Sequence, residues 1–158
     1  SIVDLYNLIN NIKDDCQVMN VDKNVTICLE ASKISKANIR CYSCDSVKMK
    51  QVFVNIIKNG FEAIDKKGFI HIDINADPAK LCKNIDGNVY MLITISNNGK
   101  RIPEEELPSI FEPFVTYKAG GTGLGLAIAN RVITSHGGTI QVFSDDNITS
   151  FNITLPLL

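Results

Sequence analysis

The stretch Gly120-Gly-Thr-Gly-Leu-Gly-Leu126 sets four glycines just ahead of an apolar, helix-forming run. Glycine leaves backbone amides unshielded, and amides that open a helix stand at the positive end of its dipole, so the stretch has the make-up of a phosphate-binding turn. A flexible loop with an ordinary helix cap fits the same glycines. No Lys-Ser/Thr pair closes it and no G-x-G-x-x-G follows a strand, which disfavours P-loop and Rossmann readings. Asn55 and Asn59 lie four residues apart and therefore on one side of any helix that carries them. Their amide oxygens are the neutral, hard ligands that a hydrated Mg²⁺ accepts while phosphates supply the charge; solvent-facing asparagines are the plainer alternative. Glu62, on the same run, either orients a water or is simply exposed.

The elements that must position these groups follow from periodicity. Val47 to Ile64 has the length and apolar density of a largely buried helix, and Asp45 can cap it by accepting from the amides of its first turn. Ahead of it, Leu5, Leu8, Ile9 and Ile12 recur at helical spacing, in a helix expected to end before Asn20. Val25, Ile27 and Leu29 alternate as a strand, and a short extended piece is expected over Ile39 to Tyr42. Phe69 to Asn75 and Val89 to Ser96 read as a hairpin whose long connection contains Pro78 and Asp86-Gly87. Pro103, followed by three glutamates, predicts a short helix. The helix after the glycines is expected to end near His136 at Gly137-Gly138, and strands Thr139 to Phe143 and Ser150 to Leu155 close the chain. The sum is an α+β fold, a two-layer sandwich with a mostly antiparallel mixed sheet packed on helices.

Composition narrows the function further. A chain of 158 residues with 45% hydrophobic content can bury a core as one domain spanning 1–158. A net charge of -1 with scattered Lys and Arg supplies no field for a nucleic-acid backbone. Runs such as Val52–Ile57 and Met91–Ile95 fall far short of the ~20 residues that span a bilayer, and no basic region precedes an apolar stretch at the N-terminus. Five cysteines, of which only Cys41 and Cys44 are closely spaced, point to reduced thiols and a cytoplasmic domain; a lone C-x-x-C without a second ligand pair is a weak zinc or redox signal.

Four segments in order carry a family resemblance: Gln51-Val-Phe-Val-Asn55-Ile-Ile-Lys-Asn59-Gly-Phe-Glu62-Ala63, Ile95-Ser-Asn-Asn-Gly99-Lys-Arg-Ile102, Phe111-Glu-Pro-Phe114 and Gly121-Thr-Gly-Leu-Gly-Leu-Ala127. They resemble the N, G1, F and G2 boxes of the catalytic domain of bacterial sensor histidine kinases, a Bergerat-type ATP-binding fold in the ATPase superfamily shared with DNA gyrase and some chaperones. The short gap from Phe114-Val-Thr-Tyr-Lys118 to Gly121 looks like the short ATP lid of the nitrogen-regulation and sporulation kinases. The resemblance implies ATP and Mg²⁺ as ligands, Asn59 as the metal ligand and Asn55 as support for the phosphates. It implies that Gly121, Thr122, Gly123, Leu124 and Gly125 form the phosphate-binding turn, and that Lys118 approaches the triphosphate as a lid cation. Phe111 and Phe114 would anchor the lid, Asn97 and Gly99 would contribute to the adenine site, and Glu62 would be the catalytic base assisting the acceptor histidine. It also implies a phosphoacceptor and dimerisation domain N-terminal to this fragment, a response regulator downstream, a monomeric fragment and a homodimeric full-length kinase, with membrane anchoring of that full-length protein left open. His136 would be a cation compensating a helix end, and neither it nor His71 sits in a phosphoacceptor motif.

The G1 box departs from the family's Asp-x-Gly-x-Gly. Asn97 stands at the aspartate and Arg101 at the second glycine. A neutral amide in place of an ionised acceptor forfeits roughly 1–2 kcal/mol of charge-assisted hydrogen bonding. It also permits donation to a guanine carbonyl. Arg101 either fills the pocket or swings outward to meet phosphate. The departure motivates a second reading, a degenerate pseudokinase module acting through protein contacts; an anti-sigma-type serine kinase is a third.

Overall fold

The computed structural model describes residues 1–40, 42–77, 82–83 and 87–157. In chain order the elements are β1 (Ile2–Val3), α1 (Leu5–Met19), β2 (Asn24–Ala31), α2 (Lys33–Ile39), β3 (Tyr42–Ser43), α3 (Ser46–Ala63), β4 (Lys67–Asn75), β5 (Cys82–Lys83) and β6 (Val89–Asn97). A 3₁₀ turn (Leu107–Ser109), α4 (Gly125–Ser135), β7 (Thr139–Ser144) and β8 (Thr149–Leu157) complete the chain. The main sheet runs β2-β4-β6-β8-β7, with β5 paired to β6. Its β2–β4 pair is parallel and its other pairs are antiparallel.

Alternation decides which face of the sheet is covered. Ile70, Ile72 and Ile74 of β4, Met91, Ile93 and Ile95 of β6, and Phe151, Ile153 and Leu155 of β8 are all buried, whereas His71 and Asp73 face outward. The inward set packs against Val52, Phe53, Ile56 and Ile57 of α3 and Ala129 and Ile133 of α4, with Leu5, Ile9 and Ile12 of α1 extending the same core. The expected two-layer α+β sandwich is therefore present, and α3 is its central helix. At the edge strand β2, Gln17 of α1 donates to the Val25 carbonyl (2.6 Å) and accepts from the Ile27 amide (2.9 Å). One side chain thus does what a neighbouring strand would do, covering exposed ladder groups.

Asp45 caps α3 as its sequence position predicts, accepting from the Val47 and Lys48 amides, both at 3.1 Å. Those amides hold its carboxyl below the usual carboxylate range, with the Lys48 amide the larger influence. The extended piece expected over Ile39 to Tyr42 is different: Ile39 ends α2, which Ser32 caps by accepting from the Ser35 amide at 2.9 Å, and only Tyr42–Ser43 is strand. A seven-residue helix is too short for periodicity to distinguish from an extended run. The helix expected after Pro103 shrinks to a turn and the 3₁₀ segment, because Pro108 lacks an amide and restricts the residue before it. Pro78, Asp86 and Cys41 lie outside the described residues, so the Cys41–Cys44 pair and the parts of the long connection around β5 do too. Among the described residues no helix is long and apolar enough to cross a membrane. Burial pushes the Cys16 and Cys44 thiols up, away from the thiolate form.

Candidate functional site

One face of α3 carries Asn55, Lys58, Asn59 and Glu62, the i, i+3, i+4, i+7 set of a helix. Opposite it runs the loop from Ile110 to Leu124, and between them lies a cavity of about 680 Å³. That volume is in the range of small-molecule sites. Ile102, Ile110 and Leu126 give the cavity an apolar wall, and Lys23, Lys58 and Lys118 stand against Glu62 and Glu106 in its polar lining. An apolar wall beside an excess of cations suits a ligand with a flat ring and an anionic tail.

The glycine stretch forms the remaining wall. Leu124 is the N-cap of α4 and no side chain caps that helix, in contrast to α1, α2 and α3, which Asp4, Ser32 and Asp45 cap. Its first-turn amides therefore keep their capacity to bind an anion at the positive end of the dipole. Asn55 fixes this terminus by donating from Nδ2 to the Gly125 carbonyl at 3.0 Å. Gly123, at φ 71°, accepts from the Phe114 amide at 3.0 Å, closing residues 115–122 into a loop. A Cβ on Gly123 would lie 2.6 Å from the Phe114 carbonyl carbon, so glycine is required there. Phe114 itself has φ 65°, a rare conformation for a bulky residue and one that marks the loop's hinge.

Asn55, Asn59, Glu62, Lys118, Gly121, Thr122, Gly123 and Gly125 all line this cavity, as their grouping in sequence predicts. Lys118 reaches across it: its Nζ donates to Glu62 Oε2 at 2.6 Å and to Asn59 Oδ1. Leu124, Asn97 and Gly99 do not line it. Asn97 is 3% exposed at the end of β6, and its Oδ1 accepts from the Gly99 amide at 3.0 Å. Gly99 is required by contact with α3, since a Cβ there would lie 2.5 Å from the Ala63 carbonyl. The loop is further bound to that helix end by the Lys100 amide, which donates to the Ala63 carbonyl at 2.8 Å. Lys58 was legible from helical spacing, being on the Asn55–Asn59 face. Lys23 was not: it reaches the cavity from the turn before β2, donating to the Phe61 carbonyl at 2.8 Å, and nothing local marks it.

Two sequence expectations change. Arg101 neither fills the cavity nor turns to it, but pairs with Asp146 in the β7–β8 turn at 3.0 Å. The following amide, Ile102, donates to the half of that hairpin formed by Ser144 at 2.9 Å, so the whole loop is drawn toward the hairpin. Phe114 does not anchor the loop by packing; its ring is 77% exposed and its backbone makes the anchor, whereas Phe111 packs edge-on against Phe151 at 6.4 Å. His136, at the end of α4, does more than close a helix: its Nδ1 lies 2.8 Å from the Val132 carbonyl and the Asp45 amide donates to its Nε2 at 3.2 Å, which ties α4 to the cap of α3.

With this geometry in place, likeness to known proteins is specific. Residues 44–158 match the family described as histidine kinase-, DNA gyrase B-, and HSP90-like ATPase. The chain is 38% identical over 116 residues to the sensory histidine kinase/phosphatase NtrB of Rhodobacter capsulatus, covering 72% of this chain and 33% of that protein. It is 37% identical over 115 residues to sporulation kinase E of Bacillus subtilis, covering 72% of this chain and 14% of the kinase. It thus spans a third or less of these relatives. The nucleotide-free catalytic domain of the histidine kinase ThkA superposes with a TM-score of 0.81 at 28% identity over 99% of this chain and 95% of that one. ThkA has also been solved with the response regulator TrrA, where the TM-score is 0.75 at 25% identity over 100% of this chain and 42% of that one. The chain belongs to the family of histidine kinase-, DNA gyrase B- and HSP90-like ATPases, as a catalytic domain of the sensor histidine kinase type.

Proposed function

We propose that this chain binds ATP with Mg²⁺ in the cavity between α3 and the 110–124 loop, within a longer kinase that transfers the γ-phosphoryl group to a histidine on a separate helical dimerisation domain. The observation that carries this reading is the uncapped, glycine-rich start of α4 facing the asparagine face of α3 across one cavity. The amides of Gly121, Thr122, Gly123, Leu124 and Gly125 would hold phosphates, with Asn55 fixing the helix start and Lys118 adding charge. Asn59 fits a divalent cation because its Oδ1 already accepts from a cation, the Lys118 ammonium. A bound Mg²⁺ would supply charge neutralisation on the phosphates. Catalysis by this chain is otherwise positioning: the cavity would orient the tail of the nucleotide, and Glu62 would accept the proton of the acceptor histidine.

Asn97 and Gly99 would act from behind the cavity wall, shaping the adenine end through the loop they fold. The response regulator as downstream partner belongs to the same proposal, by likeness to ThkA in its complex with TrrA; the homodimer and a cytoplasmic setting belong to it through the family resemblance of the sequence. Calorimetric titration of ATP·Mg²⁺ into the chain tests it, with micromolar to low-millimolar binding expected. Asn97→Asp should change that binding by less than about threefold, because residue 97 stands behind the cavity wall and its side chain is engaged by the Gly99 amide. A nucleotide panel run alongside should favour ATP over GTP. No binding by either protein would leave a module acting through protein contacts alone. In the longer kinase, Glu62→Gln should slow transfer while nucleotide still binds, and equal loss of both would count against its role as base.

A further inference from the structure

The contact between Lys118 and α3 carries an inference beyond nucleotide binding itself, though it rests on that reading. The 115–122 loop is closed at its base by the Phe114 amide on the Gly123 carbonyl, and it is shaped within by the Gly121 amide on the Lys118 carbonyl at 3.2 Å and the Lys118 amide on Thr116 Oγ1 at 3.2 Å. Tyr117 ties the loop to the 3₁₀ segment, its hydroxyl 2.8 Å from Ser109 Oγ. These bonds direct Lys118 inward, where one ammonium serves both Asn59 and Glu62, residues three apart on the same helix face. Asn59 Oδ1 is the atom best suited to a divalent cation. A carbonyl oxygen that accepts from an ammonium cannot also ligate Mg²⁺ without bringing two cations into repulsive contact.

We propose that Lys118 is a place-holding cation: in the empty domain its ammonium occupies the Asn59 position and neutralises Glu62, so loading the site exchanges one cation for another. The exchange has two consequences. The loop is latched in the empty state, and Glu62 Oε2 is engaged by the ammonium at 2.6 Å until phosphates draw the lysine away. Glu62 thereby acts as a positioning residue for the loop in addition to its proposed part in transfer. Both side chains of the pair are nearly half exposed, at 46% and 42%, so the latch is weak enough for a ligand to open.

The test compares the wild-type chain with Glu62→Gln and Lys118→Met, using amide hydrogen exchange over residues 115–123 without nucleotide and calorimetry with ATP·Mg²⁺. Unchanged Tm in both variants would establish that each is folded. Both variants should exchange about two- to fivefold faster in the loop, the range of an exposed ion pair. Their affinities should then part: Glu62→Gln binds about two- to fivefold tighter because no ion pair must open, whereas Lys118→Met binds more weakly because a phosphate contact is gone. Loop exchange equal to wild type in both variants, or weaker binding by Glu62→Gln, would overturn the proposal. Absence of nucleotide binding in all of them would sink the nucleotide reading instead, and the loop exchange would still decide whether the latch exists.

Discussion

The N-termini of α3 and α4 are opposites built on the same helical layer. At α3 every feature satisfies the helix from within: Asp45 accepts from two first-turn amides, and His136 of the neighbouring helix end accepts from the Asp45 amide itself. At α4 no side chain caps the helix, glycines surround it, and Asn55 bonds a carbonyl rather than an amide. A satisfied terminus contributes stability, whereas an unsatisfied one keeps donors for a ligand and leaves stability to the core. The chain thus separates the helix end that holds the fold from the helix end that faces the cavity.

The contrast can be broken most severely from the α4 side. Gly123→Val places a Cβ against the Phe114 backbone in a left-handed conformation, so ATP·Mg²⁺ affinity measured by calorimetry should fall at least about tenfold. Tm should change little, because the loop lies outside the buried core. From the α3 side, Asp45→Ala should lower Tm by a few degrees and leave nucleotide affinity unchanged. Acidification reads the same cap: because the folded carboxyl titrates below its unfolded value, its stabilisation is present above about pH 4 and is lost as pH falls through the folded pKa. In thermal melts across acidic pH, the variant should therefore lose the part of the wild-type acid sensitivity that this cap supplies. The smallest effect is expected at Arg101. It points away from the cavity to an Asp146 that is 86% exposed, so Arg101→Gly should shift affinity by less than about threefold and stability by at most about 1 kcal/mol. A large gain in affinity on removing Arg101 would mean that the side chain obstructs the site after all.

Much of this was legible in the sequence, and the reason is locality. Asp45 caps α3 because its own amides follow two and three residues later, and Asn55, Asn59 and Glu62 share a face because one helix sets their spacing. The inward isoleucines of β4 and β6 are equally local, a consequence of the two-residue repeat of a strand. Short or proline-broken elements were the exception, since α2 and the turn after Pro103 carry too few residues for a period to appear.

The sequence by itself determined the sandwich, the two helix faces and the glycine turn ahead of α4, each through residues close to one another along the chain. Only the tertiary structure decided the rest: that Arg101 turns to Asp146, that Lys118 crosses to Glu62 and Asn59, that His136 accepts from the Asp45 amide, and that Lys23 enters the cavity. These partners are separated by 45, 56, 59, 91 and, for Lys23 and Phe61, 38 residues. Spacing along a chain fixes neighbours only while one helix or strand connects them. Beyond that distance, which charge meets which is set by how the packed layers bring separate loops together.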